Sequence, residues 1–250
     1  MAGIFGFFDY SKPGKGVEKD EPQKPRFLYF WELFFRKFWK LIQLNLLYVA
    51  SCLLIFTIGP ATAGFTYVLR NLANEQPVFL VSDFFDGFKN NAKQSILYSV
   101  IMTAALIMLV TSMRFYYLNL GQAAWMYVPL SICILLLLLL VFMSFYVMLM
   151  IVTLDLKLTA ILKNAVIFSI ICLKTNFITL FFIAVILFAV YIFPVLGALL
   201  TILIIPAMCG FIICFNMFPQ IKKYAVDPYN ERQKASESGD DAVFSDKEEQ

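Results

Sequence analysis

Charged side chains are absent from residues 41 to 69, limited to Arg114 between residues 94 and 154, and absent again from 175 to 221. A hydrocarbon layer about 30 Å thick needs about 20 apolar residues for one helical crossing, and a soluble core has no use for runs of this length. The pattern predicts helical spans near 41–58, 95–113, 125–152, 176–193 and 195–218. Ahead of the first, in 27-FLYFWELFFRKFWK-40, Phe27, Phe30, Trp31, Phe34, Phe35 and Phe38 repeat at helical spacing, while Glu32, Arg36 and Lys40 follow four residues apart on the other face. That arrangement suits a helix lying in the membrane interface.

Gly59-Pro60 interrupts the first run, and the positive-inside rule, which weighs Lys and Arg in short loops and near span ends, says what happens there. With five crossings and a cytoplasmic N-terminus, the basic loops 70–93 (Arg70, Lys89, Lys93) and 157–174 (Lys157, Lys163, Lys174) and the Lys222-Lys223 pair would all face outward. One added reversal at Gly59-Pro60 returns them, with both chain ends, to the cytoplasm and leaves the aromatic turns at Arg114 and Pro194 outside. Pro60 suits the first turn of a new helix, and Ala61, Ala63 and Gly64 allow close packing. From 60 to 74 that helix has room for roughly 22 Å of rise, so it is either a short sixth crossing or a re-entrant half-helix. The expected fold is therefore all-α: a polytopic transmembrane helical bundle of five to six membrane helices, one short or re-entrant, with interfacial amphipathic helices. Residues 1–26 read as a cytoplasmic irregular segment, 27–224 as the transmembrane domain, and 225–250 as a cytoplasmic, acidic, disordered tail.

Composition agrees: 61% of residues are hydrophobic, 15% are charged, and the mean hydropathy is +0.78. Residues 1–40 mix basic and acidic side chains without an early apolar core, so they do not read as a signal peptide. The chain has no histidine, which removes the commonest general base and metal ligand. Cys52, Cys133, Cys172, Cys209 and Cys214 fall in apolar runs without paired spacing and read as small core residues. No catalytic residues, metal ligands or cofactors are expected, and the near balance of 20 basic and 17 acidic residues gives no reason to expect a nucleic-acid partner.

Two loops carry more pattern. In 82-SDFFDGFKNNAKQS-95, Phe84, Phe85, Phe88 and Ala92 share one helical face, Ser82 suits the cap, and Asp83 and Asp86 suit the positive end. In 155–174, Leu158, Ile161, Leu162 and Ala165 oppose Asp155, Thr159, Lys163 and Asn164. Lys89-Asn90 and Lys163-Asn164 each lie on a surface helix ahead of a pair of spans, as in a repeat of surface helix plus hairpin. Asp83, Phe84, Phe85, Asp86, Gly87, Lys89 and Asn90 form a candidate docking set against a structural reading as a buried interfacial helix. Gly59, Pro60, Thr62 and Gly64 form a candidate half-helix binding site, where a helix N-terminus would offer N–H groups to an anion or a sugar hydroxyl; the competing reading is a tight hairpin packed through small residues.

The segments 5-FGFFDYSKPGKGV-17, 58-IGPATAG-64, 82-SDFFDGFKNNAKQS-95, 162-LKNAV-166 and 219-PQIKKYAVDPYNE-231 occur in an order that resembles the YesL family of bacterial membrane proteins, leaving out the tail from residue 232. The resemblance implies a multi-pass protein of the bacterial cytoplasmic membrane, of unassigned biochemistry, whose relatives are encoded near sugar-uptake transporters. It also implies a non-catalytic accessory or coupling component of carbohydrate uptake, with subunits of a carbohydrate ABC transporter as partners. The Asp86-Gly87 pattern is similar to the cytoplasmic loop by which importer permeases contact their ATPase. The alternative is a small-solute transporter or channel in its own right. Ligand and oligomeric state are open.

Overall fold

A computed structural model describes residues 25–121 and 124–227; the expected irregular segment up to residue 24 and the acidic tail from residue 228 lie outside the described residues. The described chain is all helical: α1 Arg26–Cys52, α2 Ile58–Ala73, α3 Leu80–Asn90, α4 Ala92–Leu118, α5 Tyr127–Ile151, α6 Leu158–Ile171, α7 Leu173–Ile192, α8 Pro194–Leu203 and α9 Ile205–Ile221, with a π-helical turn at Lys222–Val226. Four helices, Ala92–Leu118, Tyr127–Ile151, Leu173–Ile192 and Ile205–Val226, are long and apolar enough to cross a bilayer, and α6 and α8 are shorter apolar helices. The protein is a helical membrane protein. Its chain separates into two compact units, Met1–Arg36 and Lys37–Gln250. In the first, Phe27, Trp31 and Phe35 form a ladder of rings one helical turn apart, at 6.2 and 5.7 Å between centroids. No glycine or proline separates this stretch from residue 52, so the expected interfacial helix and the first apolar run are one continuous helix.

The first predicted span, 41–58, is corrected: α1 stops at Cys52, and a turn through Ile55–Thr57 leads into α2. Proline has no N–H to donate and its ring excludes the carbonyl four residues back, so Pro60 bars a straight helix through this point. The Thr57 hydroxyl donates to the Ser51 and Leu54 carbonyls instead of capping α2. The chain then turns back. The Tyr48 and Thr62 hydroxyls meet at 3.3 Å and the Tyr48 ring stacks on Phe65 at 4.3 Å, which brings the end of α1 against the first turns of α2.

Helix α2 packs on α3, α4, α5 and α9. Ten of its sixteen residues are buried, which puts this short helix at the centre of the bundle. Glycines permit this. A Cβ on Gly59 would stand 2.7 Å from the Ser95 carbonyl, one on Gly64 would run into the Phe84 carbonyl, and one on Gly87 would stand 2.8 Å from the Tyr67 Cβ. Backbones that approach through small residues gain dispersion contacts where no hydrophobic force separates helix from lipid. Helix α3 and the first turns of α4 thus run back along α2.

The predicted span 195–218 is also corrected, because it breaks at Ile204 (φ −150°, ψ −24°) between α8 and α9. Pro206 supplies the cause: it cannot donate to the Ile202 carbonyl, its ordinary helical acceptor. The donor comes from α1. Buried Asn45 gives its Nδ2 to the Ile202 and Thr201 carbonyls at 2.8 and 3.2 Å and accepts the Ala207 N–H on Oδ1 at 2.9 Å. One carboxamide therefore satisfies both ends of the interruption, where lipid offers no water to do so.

Short helix, one-residue break and long helix occur twice in succession, as α3–Asn91–α4 and α6–Cys172–α7. The two Lys-Asn pairs do not occupy matching places in these units: Asn90 adjoins its break, whereas Asn164 lies about two turns ahead of its own.

Replacing Asn45 leaves buried backbone groups without partners. Asn45→Leu is expected to destabilise the protein by about 2–3 kcal/mol, and Asn45→Asp by at least as much, since a carboxylate cannot donate to two carbonyls. Thermal unfolding in detergent measures this, and a melting point within a degree of wild type for either variant would contradict the role.

Candidate functional site

The two candidate sets of the sequence come together as one piece of packing. On α3, Phe84 and Gly87 are buried against α2, Asp83 is half-buried, and Phe85, Asp86, Lys89 and Asn90 are exposed. Helix α3 starts at Leu80, so Ser82 lies inside it and does not cap; the Asp83 carboxylate, one turn into the helix, accepts the Phe79 N–H at 3.0 Å. The expected Ser82 cap is thereby corrected. Gly87 has a structural cause, the crossing with Gly64, and Asn91 donates to the Gly87 carbonyl at 3.0 Å where α3 hands over to α4. The face of α3 that points away from the bundle is the one with Phe85, Asp86, Lys89 and Asn90.

Of the half-helix set, Gly59, Pro60 and Gly64 are buried in contact with other helices. The Thr62 hydroxyl donates to the Ile58 carbonyl at 2.7 Å besides meeting Tyr48.

The end of the bundle near Arg70 holds further polar structure that sequence reading missed. Arg70 donates to the Val152 carbonyl at 2.6 Å and the Thr153 hydroxyl at 3.2 Å, holds the Asn71 amide oxygen through two nitrogens, and lies over the Tyr67 ring at 4.7 Å. It pins the end of α2 to the end of α5. Gln94 at the start of α4 donates to the Leu156 carbonyl at 3.1 Å. Deeper, Tyr146 on α5 donates to the Asn176 amide oxygen at 2.6 Å, Asn176 donates to the Ser169 carbonyl, and Asn216 on α9 donates to Thr179 at 3.0 Å. These bonds tie α5, α6, α7 and α9 through side chains that have no water to compete.

Beside these links opens a cavity of about 920 Å³. Asn74 and Gln76 line it from the α2–α3 connection, Thr153 to Leu156 from the α5–α6 connection, Asn164 and Phe168 from α6, and Phe218, Lys222 and Tyr224 from α9 and the π turn. Two backbone irregularities shape its rim. Glu75 takes a left-handed conformation (φ 57°) between Asn74 and Gln76, unusual for a residue with a side chain, and the π turn Lys222–Val226 follows Pro219 inside α9. Such turns are frequent at functional sites. The lining comes from four separated segments without a shared motif; Asn74, Asp155, Asn164, Phe168, Lys222 and Tyr224 fall inside stretches singled out earlier, each for a reason other than a shared cavity. Among the described residues no cluster of candidate metal ligands occurs.

The fold and its apolar surface define the class, a polytopic helical membrane protein. Residues 41–113 match a family model described as "Protein of unknown function, DUF624", a segment that holds the apolar half of α1, all of α2 and α3, and most of α4. No curated protein and no solved structure matches the chain.

Because the inner and outer faces of α3 differ so sharply, their substitutions should separate. Gly87→Ala forces α3 off α2 and is expected to cost about 1–3 kcal/mol, whereas Asp86→Ala should stay within about 0.5 kcal/mol of wild type. Equal shifts in unfolding temperature for the two variants would contradict the packing.

Proposed function

We propose that this is a YesL-type protein of the bacterial cytoplasmic membrane that serves carbohydrate uptake without catalysing a reaction, docking a subunit of a carbohydrate ABC transporter on the outer face of α3. The match of residues 41–113 to DUF624 supports the YesL-type reading. The observation that carries the docking role is the mounting of α3. Its inner face is fixed to buried α2 through Gly64 and Gly87, and one residue, Asn91, separates it from the long helix α4. A partner held by Phe85, Asp86, Lys89 and Asn90 would act on the centre of the bundle rather than on a loose loop. The distribution of Lys and Arg supports reading this end, with both chain termini, as cytoplasmic, the side on which an ATPase subunit works.

A second reading, a small-solute transporter in its own right, is favoured by the broken helix α8–α9 and by short α2, since interrupted helices mark binding sites in many transporters. Here Asn45 occupies the backbone groups that the α8–α9 break frees, so the docking role is the better supported.

Capture of tagged protein from membranes is expected to retain an importer ATPase, and Asp86→Lys to release it. Retention by both forms would contradict docking, and solute flux into liposomes that contain this protein alone would establish the second reading.

A further inference from the structure

The cavity at the Arg70 end has a lining that selects by chemistry. Asn74, Gln76 and Asn164 contribute three carboxamides, each able to donate and to accept. Asp155 and Lys222 contribute one negative and one positive charge, so the lining carries no net charge. Phe168, which is buried, and half-buried Phe218 supply an apolar wall. An anion would meet the Asp155 carboxylate, a cation would meet the Lys222 ammonium, and an apolar molecule would strip water from three amides without replacing its hydrogen bonds. A molecule with hydroxyls along its edges and C–H groups on its faces satisfies the amides and the aromatic wall together. At about 920 Å³ the space falls within the range of small-molecule sites.

We propose that this cavity binds a neutral polyhydroxylated solute of monosaccharide or disaccharide size, with Asn74, Gln76 and Asn164 as its hydrogen-bonding groups. The site is built rather than incidental: the left-handed Glu75 sets Asn74 and Gln76 on the rim, Arg70 fixes the neighbouring end of α5, and the π turn carries Lys222 and Tyr224 to the opposite wall. The assignment deepens the uptake reading and rests on it for what binding accomplishes, while the class of ligand rests on the lining alone. The connection that bears Asn74 and Gln76 leads directly into α3, so an occupied cavity adjoins the docking helix.

Saturation-transfer NMR on the full chain in nanodiscs, with glucose and maltose as probes and alanine and glycine betaine as zwitterionic comparators, tests this without any partner. The expected result is transfer to the C–H protons of at least one sugar, with affinity reduced tenfold or more in Asn164→Ala and in the exposed variant Gln76→Ala at unchanged unfolding temperature. Sugar signals equally strong in both variants would overturn the site. Transfer to the zwitterions alone would overturn the ligand class, and silence from all four probes would overturn the proposal. ATPase capture by Asn164→Ala, expected to match wild type, keeps a failure here distinct from a failure of docking.

Discussion

A backbone N–H or C=O that leaves its helix inside a bilayer finds no water, so each interruption of a membrane helix must bring its own partner. Among the described residues, the interruptions after Cys52 and at Ile204 show two such repairs. At the first, short turns close on neighbouring carbonyls and send α2 back beside α1. At the second, the Asn45 carboxamide on α1 takes up what Pro206 releases. Helix α2 lies at the centre of the packing: its Gly59 and Gly64 let α4 and α3 come within backbone distance, and its Phe65 and Leu69 pack on Gly210 of α9.

From that centre the functional surfaces follow. The face of α3 that is left over after Phe84 and Gly87 are buried is amphipathic and mounted on buried α2. The cavity lies where the ends of α2, α5 and α9 meet the start of α6, with Arg70 as the tie between two of them. Basic loops and polar cavity share one end of the bundle, while the turns at Arg114 and Pro194 share the other. One surface leaves a packed helix face exposed and the adjoining hollow presents a set of amides, the two features on which the proposed coupling role rests.

Much of this was legible in the sequence, for reasons that particular residues make plain. The reversal near Gly59-Pro60 could be read because it is local and because charge placement in loops far apart all depends on it. Helices α4, α5 and α7 could be read from uninterrupted apolar runs. The break at Ile204 could not, because 195–218 is uniformly apolar and the residue that supports the break, Asn45, stands about 160 positions earlier. Pro206 and the lone Asn45 in the charge-free run 41–69 were the available signals, and they acquire meaning only together. Gly87 misled in another way: beside Asp86 it looks like part of a docking signature, whereas its cause is Gly64 across a helix crossing. Ser82 looked like a cap because it precedes two acidic residues, but the helix already begins at Leu80, with Phe79 in the cap position. The cavity left almost no trace, since four distant segments each contribute ordinary polar residues.

The central claim is that the short helix after Gly59-Pro60 is the buried core of the bundle, packed on α9. In a version without the five native cysteines, Leu69→Cys with Gly210→Cys places two thiols at facing positions of α2 and α9, where a Gly210 Cβ would touch the Leu69 methyl. Oxidation in membranes is predicted to link them, as it should the comparison pair Thr179→Cys with Asn216→Cys between α7 and α9. A link in the comparison pair with none between residues 69 and 210 would place α2 outside the core and contradict the account.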